Sequence, residues 1–129
     1  MKNFVITALF ILFVLTSFKQ DEGLSVDAFQ KKINGTDKVV LVYFNADWCI
    51  PCVKLKPSIE QIKTEEKDGV LVMDLDVDKN PALGLHFEIN TLPLFIIYKN
   101  GKKMWENNTA LTKADLVKKL GIYKEKVKK

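Results

Sequence analysis

Residues Val39 to Phe44 read Val-Val-Leu-Val-Tyr-Phe, an unbroken apolar and β-branched run. A strand with one face in water alternates apolar with polar residues, so this run predicts a strand covered on both faces. That requirement constrains the fold more than any other stretch, because it calls for a sheet carrying a layer on each side. With 129 residues the chain is one domain, long enough to bury a single sizeable core.

The segments around the run supply those layers. Ser25-Val26-Asp27 caps a short helix bearing Phe29 and Ile33, which Asn34-Gly35 ends. Val53 to Lys67 reads as a helix with apolar Val53, Leu55, Ile59 and Ile62, kinked where Pro57 removes a backbone donor. Val70 to Val77 is a second strand, and Asn80-Pro81 opens a short helix through Leu85. Leu94 to Tyr98 is a third strand, joined by the tight turn Lys99-Asn100-Gly101-Lys102 to a return strand at Lys103 to Glu106. Thr112 caps a last helix whose apolar face is Leu116, Val117 and Leu120, and residues 124–129 form a basic tail. Early strands alternating with helices, followed by a late hairpin and a helix, imply an α/β domain: a mixed sheet with helices on both faces.

Between the first strand and its helix stands Ala46-Asp47-Trp48-Cys49-Ile50-Pro51-Cys52, which holds both cysteines of the chain. A Cys-x-x-Cys at a strand-to-helix junction puts the first sulfur at the helix N-terminus. There unpaired N–H groups and the helix dipole favour a thiolate, an arrangement suited to thiol–disulfide exchange. A structural zinc site wants four ligands, and two Cys with the lone His86 do not close one. A purely structural disulfide over so short a loop constrains the unfolded chain little, while a two-thiolate Cu(I) site stays chemically open.

Composition narrows the partners. All 20 basic residues are lysine, and without arginine forks the chain is a poor candidate for nucleic-acid reading. The net charge of +4 includes Lys2 and Lys19, which flank an apolar stretch from Phe4 to Phe18 broken only by Thr7, Thr16 and Ser17. Fifteen such residues suit a signal h-region better than a membrane span of about 20. Residues 1–20 are therefore expected to be a signal peptide, or an N-terminal anchor if Leu15-Thr16-Ser17 is not cut, with the globular domain over 21–123. No cysteine directly follows the apolar stretch, which argues against a lipoprotein anchor.

From Leu24 onward, over about 105 residues, the chain resembles the thioredoxin family. The resemblance is carried by Val42-Tyr43-Phe44-Asn45-Ala46-Asp47-Trp48-Cys49-Ile50-Pro51-Cys52, by Pro57, by Leu75-Asp76-Val77-Asp78 with Asn80-Pro81, by Thr91-Leu92-Pro93 and by Tyr98-Lys99-Asn100-Gly101. It implies the thioredoxin fold with a central four- or five-stranded sheet, a cis bond before Pro93, and the Leu92-Pro93 loop beside the cysteines. Leu92 is then expected to pair its backbone with an extended substrate strand; the plainer reading of Pro93 is a strand-entry proline.

The resemblance also implies roles. Cys49, expected exposed, is the nucleophile and Cys52 the resolving thiol of a redox-active disulfide, with Trp48 a flat apolar platform rather than a core tryptophan. Ile50 and Pro51 offer no side-chain donor to the thiolate, which favours a less oxidising couple and a reductant. Where the family commonly has a buried acid this chain has Tyr43, and where it has a lysine this chain has Asp74. Asp74 is expected to stand in as a buried carboxylate with a raised pKa that accepts the Cys52 proton; otherwise it is an exposed strand-end aspartate. Asp47 matches a common acidic position, and a glycine expected near Thr109 is missing.

The chain is thus expected to be an exported thiol–disulfide oxidoreductase, similar to the thioredoxin-like proteins of bacterial envelopes and located in the periplasm or cell envelope. It needs no cofactor, acts as a monomer on disulfide-containing proteins, and draws electrons from a membrane or soluble donor. A disulfide oxidase or isomerase is the alternative of the same class, although those families more often carry a histidine between the cysteines. A Cu(I) metallochaperone is the alternative of another class. Its third ligand would be His86, expected to face solvent, since Met73 and Met104 read as core.

Overall fold

The computed structural model describes residues 22–125, so the leader expected over residues 1–20 lies outside the described residues. Helix α1 spans Val26–Asn34, strand β1 Val39–Asn45, helix α2 Ile50–Glu65 and strand β2 Val70–Asp76. Helix α3 spans Pro81–His86, strand β3 Leu94–Lys99, strand β4 Lys102–Asn107 and helix α4 Lys113–Glu125. The four strands form one mixed sheet in the order β2-β1-β3-β4. β1 pairs parallel with β2 and antiparallel with β3, while β3 pairs antiparallel with β4.

Alternate residues of β1 divide the core into two layers. Val39, Leu41 and Tyr43 join Leu55, Ile59 and Ile62 of α2 and Leu116 and Leu120 of α4. Val40, Val42 and Phe44 join Phe29 and Ile33 of α1 and Leu83 of α3 on the other face. Because both faces are covered, the first six residues of β1 are all buried, which is the physical content of its apolar run. Burial per residue is greatest here, and each fully buried large aliphatic or aromatic side chain contributes about 1.5–3 kcal/mol.

Local chemistry sets the element ends. The Ser25 side chain accepts from the Ala28 amide and caps α1. Asn100 and Gly101 both take positive φ, 51° and 75°, giving the hairpin turn whose twist matches its strands. A Cβ at position 101 would also lie 2.0 Å from the Asn34 side-chain oxygen, so glycine is required twice over. At α4, Thr112 and Asp115 cap each other: the Asp115 amide donates to Thr112 Oγ1 at 3.1 Å, and the Thr112 amide to Asp115 Oδ2 at 3.2 Å.

Two boundary differences bear on the site and on the C-terminal helix, the others being shifts of one or two residues. α2 begins at Ile50 rather than Val53, since Pro51 in the first turn needs no hydrogen-bond acceptor and its φ suits a helix. α4 continues to Glu125, so Lys124 is not part of a solvated tail; its ammonium pairs with Glu66 at 2.5 Å and ties α4 to the end of α2.

Candidate active site

Cys49 is the N-cap of α2, and Cys52 lies in its first turn. The two are joined by a disulfide, with their Cα atoms 5.2 Å apart. The Cys52 amide donates to Cys49 Sγ at 3.3 Å, so a backbone N–H at the helix start already points at the sulfur where a thiolate would form. The turn before it is held by the Cys49 amide donating to the Ala46 carbonyl at 3.1 Å.

The expectation that Cys49 is exposed does not hold. It is 5 % exposed and Cys52 3 %, and both belong to the core cluster on the α2 side of the sheet. The surface at this point is formed by its neighbours, with Trp48 67 % and Ile50 69 % exposed and Pro51 also exposed. Trp48 is therefore not a core tryptophan. Its indole N–H donates to Asp78 at 2.9 Å, anchoring the edge of the ring while leaving the rest in solvent.

The Leu92–Pro93 peptide bond is cis. Pro93 is buried at the entry to β3, and Leu92 packs against the core cluster that contains Cys49 and Cys52. Leu92 also packs against the core cluster on the other face of the sheet. At the missing glycine, the Thr109 amide and hydroxyl both donate to the Asn107 side-chain oxygen, at 2.7 and 2.9 Å, closing a local turn.

Beside Cys52 opens a cavity of about 390 Å³ lined by Tyr43, Asn45, Asp47, Lys56, Asp74 and Asp76, among others. Asp74 therefore shares a cavity with Cys52, but it is not buried. β2 is an edge strand, and the Asp74 side chain lies at the open rim, 26 % exposed. It pairs with Lys63 at 3.3 Å and accepts from Asn45 Nδ2 at 2.6 Å. Burial alone would lower the Lys63 pKa, yet its hydrogen bond to Glu60 and the charge and hydrogen bond of Asp74 together raise it. The buried titratable side chain at this cavity is instead Tyr43. Burial first, and the charge of Asp74 second, push its phenol up to about 12.

His86 is exposed on α3, in edge contact with Phe87 at 4.9 Å. Among the described residues no three His, Cys, Asp or Glu side chains converge as a metal-holding group. Met73 is buried and Met104 packs at the core margin.

A mixed sheet between two helical layers, with a disulfide at the N-cap of the helix after the central strand, defines a thiol–disulfide oxidoreductase. The comparisons agree. The family model described as Thioredoxin matches residues 21–121. A thioredoxin of Chlorobaculum thiosulfatiphilum is 38 % identical over 92 residues, covering 71 % of this chain and 85 % of that protein. A thioredoxin of Mycolicibacterium smegmatis is 38 % identical over 96 residues, covering 73 % and 86 %. A chain from a structural study of thiol resolution in yeast mitochondrial 1-Cys peroxiredoxin, through glutathione and thioredoxin systems, superposes with a TM-score of 0.67. It is 22 % identical and covers 76 % of this chain and 90 % of its own, a likeness of fold. The chain belongs to the thioredoxin family.

Two site relationships were not read from sequence: the Tyr43 hydroxyl bond to Cys52 and the Trp48–Asp78 bond. Both join residues that are about ten or thirty positions apart. The strand–helix–strand register that unites them is a tertiary property, although Tyr43 stands at a position where the family has an acid.

Proposed function

We propose that the protein is an exported reductant of protein disulfides that works through a mixed disulfide. The observation that carries this reading is the Cys52 amide aimed at the Cys49 sulfur at the cap of α2. In the reduced protein that donor and the helix dipole stabilise a Cys49 thiolate, which attacks one sulfur of a substrate disulfide. Cys49 becomes bonded to that sulfur and the other substrate sulfur leaves as a thiolate. Cys52 then attacks Cys49, the protein disulfide forms, and the second substrate sulfur leaves, so the substrate gains two electrons and takes its protons from solvent.

Trp48, Ile50 and Pro51 form the apolar platform on which the substrate rests, and the Leu92 backbone before Pro93 pairs with an extended substrate segment. Asp74 accepts the Cys52 proton through solvent in their shared cavity. The Ile50-Pro51 pair adds no side-chain donor to the thiolate, which supports the reducing direction. Export to a bacterial periplasm or envelope rests on the apolar stretch from Phe4 to Phe18 behind Lys2. In that oxidising compartment a membrane or soluble electron donor must re-reduce the pair.

The deciding experiment is the reduction potential of the Cys49–Cys52 couple in glutathione buffers. A reductant gives a value near −270 mV, whereas one above about −180 mV makes the protein an oxidase or isomerase.

A further inference from the structure

Tyr43 is the buried polar side chain at the site to which no thiol step yet gives a part. It sits on the α2 face of β1, 2 % exposed, its ring stacked on Phe95 with centroids 5.2 Å apart and planes 17° from parallel. Its hydroxyl donates to the backbone carbonyl of Cys52 at 3.1 Å. With its phenol pushed up to about 12, the group is a neutral donor at physiological pH and not a base.

We propose that Tyr43 is a positioning residue for the resolving step: its hydrogen bond to Cys52 holds the first turn of α2 against β1, and so keeps the Cys52 sulfur in reach of Cys49. This inference rests on the mixed-disulfide reading above.

The need for such a tie follows from the covalent state. While the disulfide is closed, the S–S bond itself fixes the turn. Once Cys49 is bonded to a substrate, that crosslink is gone and Cys52 is held by non-covalent contacts alone. The first turn is also less firmly tied to the rest of the helix, since Pro57 lacks the N–H that would donate to the Val53 carbonyl. A strand-anchored phenol, wedged by Phe95, supplies a fixed point from outside the helix. In the step it serves, the Cys52 thiolate attacks Cys49 Sγ, the Cys49–substrate bond breaks, and the substrate sulfur carries away the electron pair. Holding nucleophile and target together is the kind of effect measured as an effective concentration.

Reduced protein mixed with dithiobis(nitrobenzoate) tests this directly. Attack by Cys49 releases one thionitrobenzoate, and displacement by Cys52 releases the second. Tyr43→Phe keeps the stacked ring and removes the hydroxyl. It is expected to slow the second release about fivefold, the worth of one neutral hydrogen bond, and to leave the first unchanged. The effective concentration of Cys52 toward a Cys49–glutathione mixed disulfide should fall by a similar factor. Ile33→Val, a core truncation on the opposite face of the sheet, should alter neither phase. A second release as fast in Tyr43→Phe as in wild type overturns the inference, as does equal slowing by both variants. A wild-type protein with no second release overturns the mixed-disulfide reading itself, and the inference with it.

Discussion

The Cys52 amide lies 3.3 Å from the Cys49 sulfur, so in the proposed mechanism Cys52 serves the nucleophile through its backbone before its own thiol reacts. Replacing the Cys52 side chain leaves that N–H in place. Cys52→Ser should therefore retain the first attack and accumulate a mixed disulfide with a protein substrate, visible as a higher-mass band on a non-reducing gel. Cys49→Ser should form no such adduct and lose disulfide reduction altogether. Multiple turnover by Cys52→Ser at the wild-type rate, with no adduct trapped, would contradict the assignment of the two sulfurs.

Asp74 and Cys52 line one cavity, yet the carboxylate stands at its rim in a pair with Lys63. A base that works through intervening solvent contributes at or below the lower end of direct general-base catalysis. Asp74→Asn is thus expected to slow resolution on the order of tenfold. Lys63 keeps its 2.9 Å pair with Glu60, and exposed pairs contribute ~0–1 kcal/mol, so the variant should remain folded. Single-turnover kinetics across neutral pH are the check; a resolution rate equal to wild type removes Asp74 from the mechanism.

The layered fold was legible because its signals are local. The Val39 to Phe44 run could be satisfied only by cover on both faces, and the Ser25, Asn100-Gly101 and Thr112 signals mark element ends through their own side chains. The burial of individual site residues was not legible. The resemblance places Asp74 as a buried carboxylate or an exposed strand-end aspartate; β2 lies at the sheet edge, and edge position depends on which strands pair rather than on the residues of β2. Cys49 precedes a helix and so reads as accessible, whereas it is buried and bonded to Cys52. Tyr43 stands in a β-branched run at a position where the family has an acid; that its hydroxyl meets Cys52 depends on how α2 crosses β1.

Trp48 is mostly in solvent and joined to Asp78 by a single hydrogen bond. Truncating an exposed side chain of this kind changes stability little, within about 0.5 kcal/mol plus one partly exposed hydrogen bond. Trp48→Ala should therefore unfold at nearly the wild-type denaturant concentration. If the ring is a substrate platform, reduction of a folded protein disulfide should slow severalfold while reduction of a small disulfide such as glutathione disulfide is unaffected. Equal slowing toward both substrates would place the effect at the sulfurs instead and remove the platform role.

The cap of α4 sets a pH dependence whose sign can be worked out. Thr112 donates to Asp115 Oδ2 through its hydroxyl at 2.7 Å and its amide at 3.2 Å, and these two bonds, the side-chain bond first, lower the Asp115 pKa, with Lys118 assisting. A carboxylate with a depressed pKa in the folded state stabilises the fold fully above its unfolded value. That contribution is lost as pH falls through the lower, folded value. Asp115→Ala should consequently unfold at a lower urea concentration than wild type at neutral pH. The gap between the two midpoints should hold down to the ordinary carboxylate range near 3.9 and close below it. Comparing the variant with wild type at each pH cancels the other carboxylates, which titrate in both proteins. A gap that stays constant to the lowest pH at which both remain folded would mean that the uncharged side chain caps the helix as well as the carboxylate does.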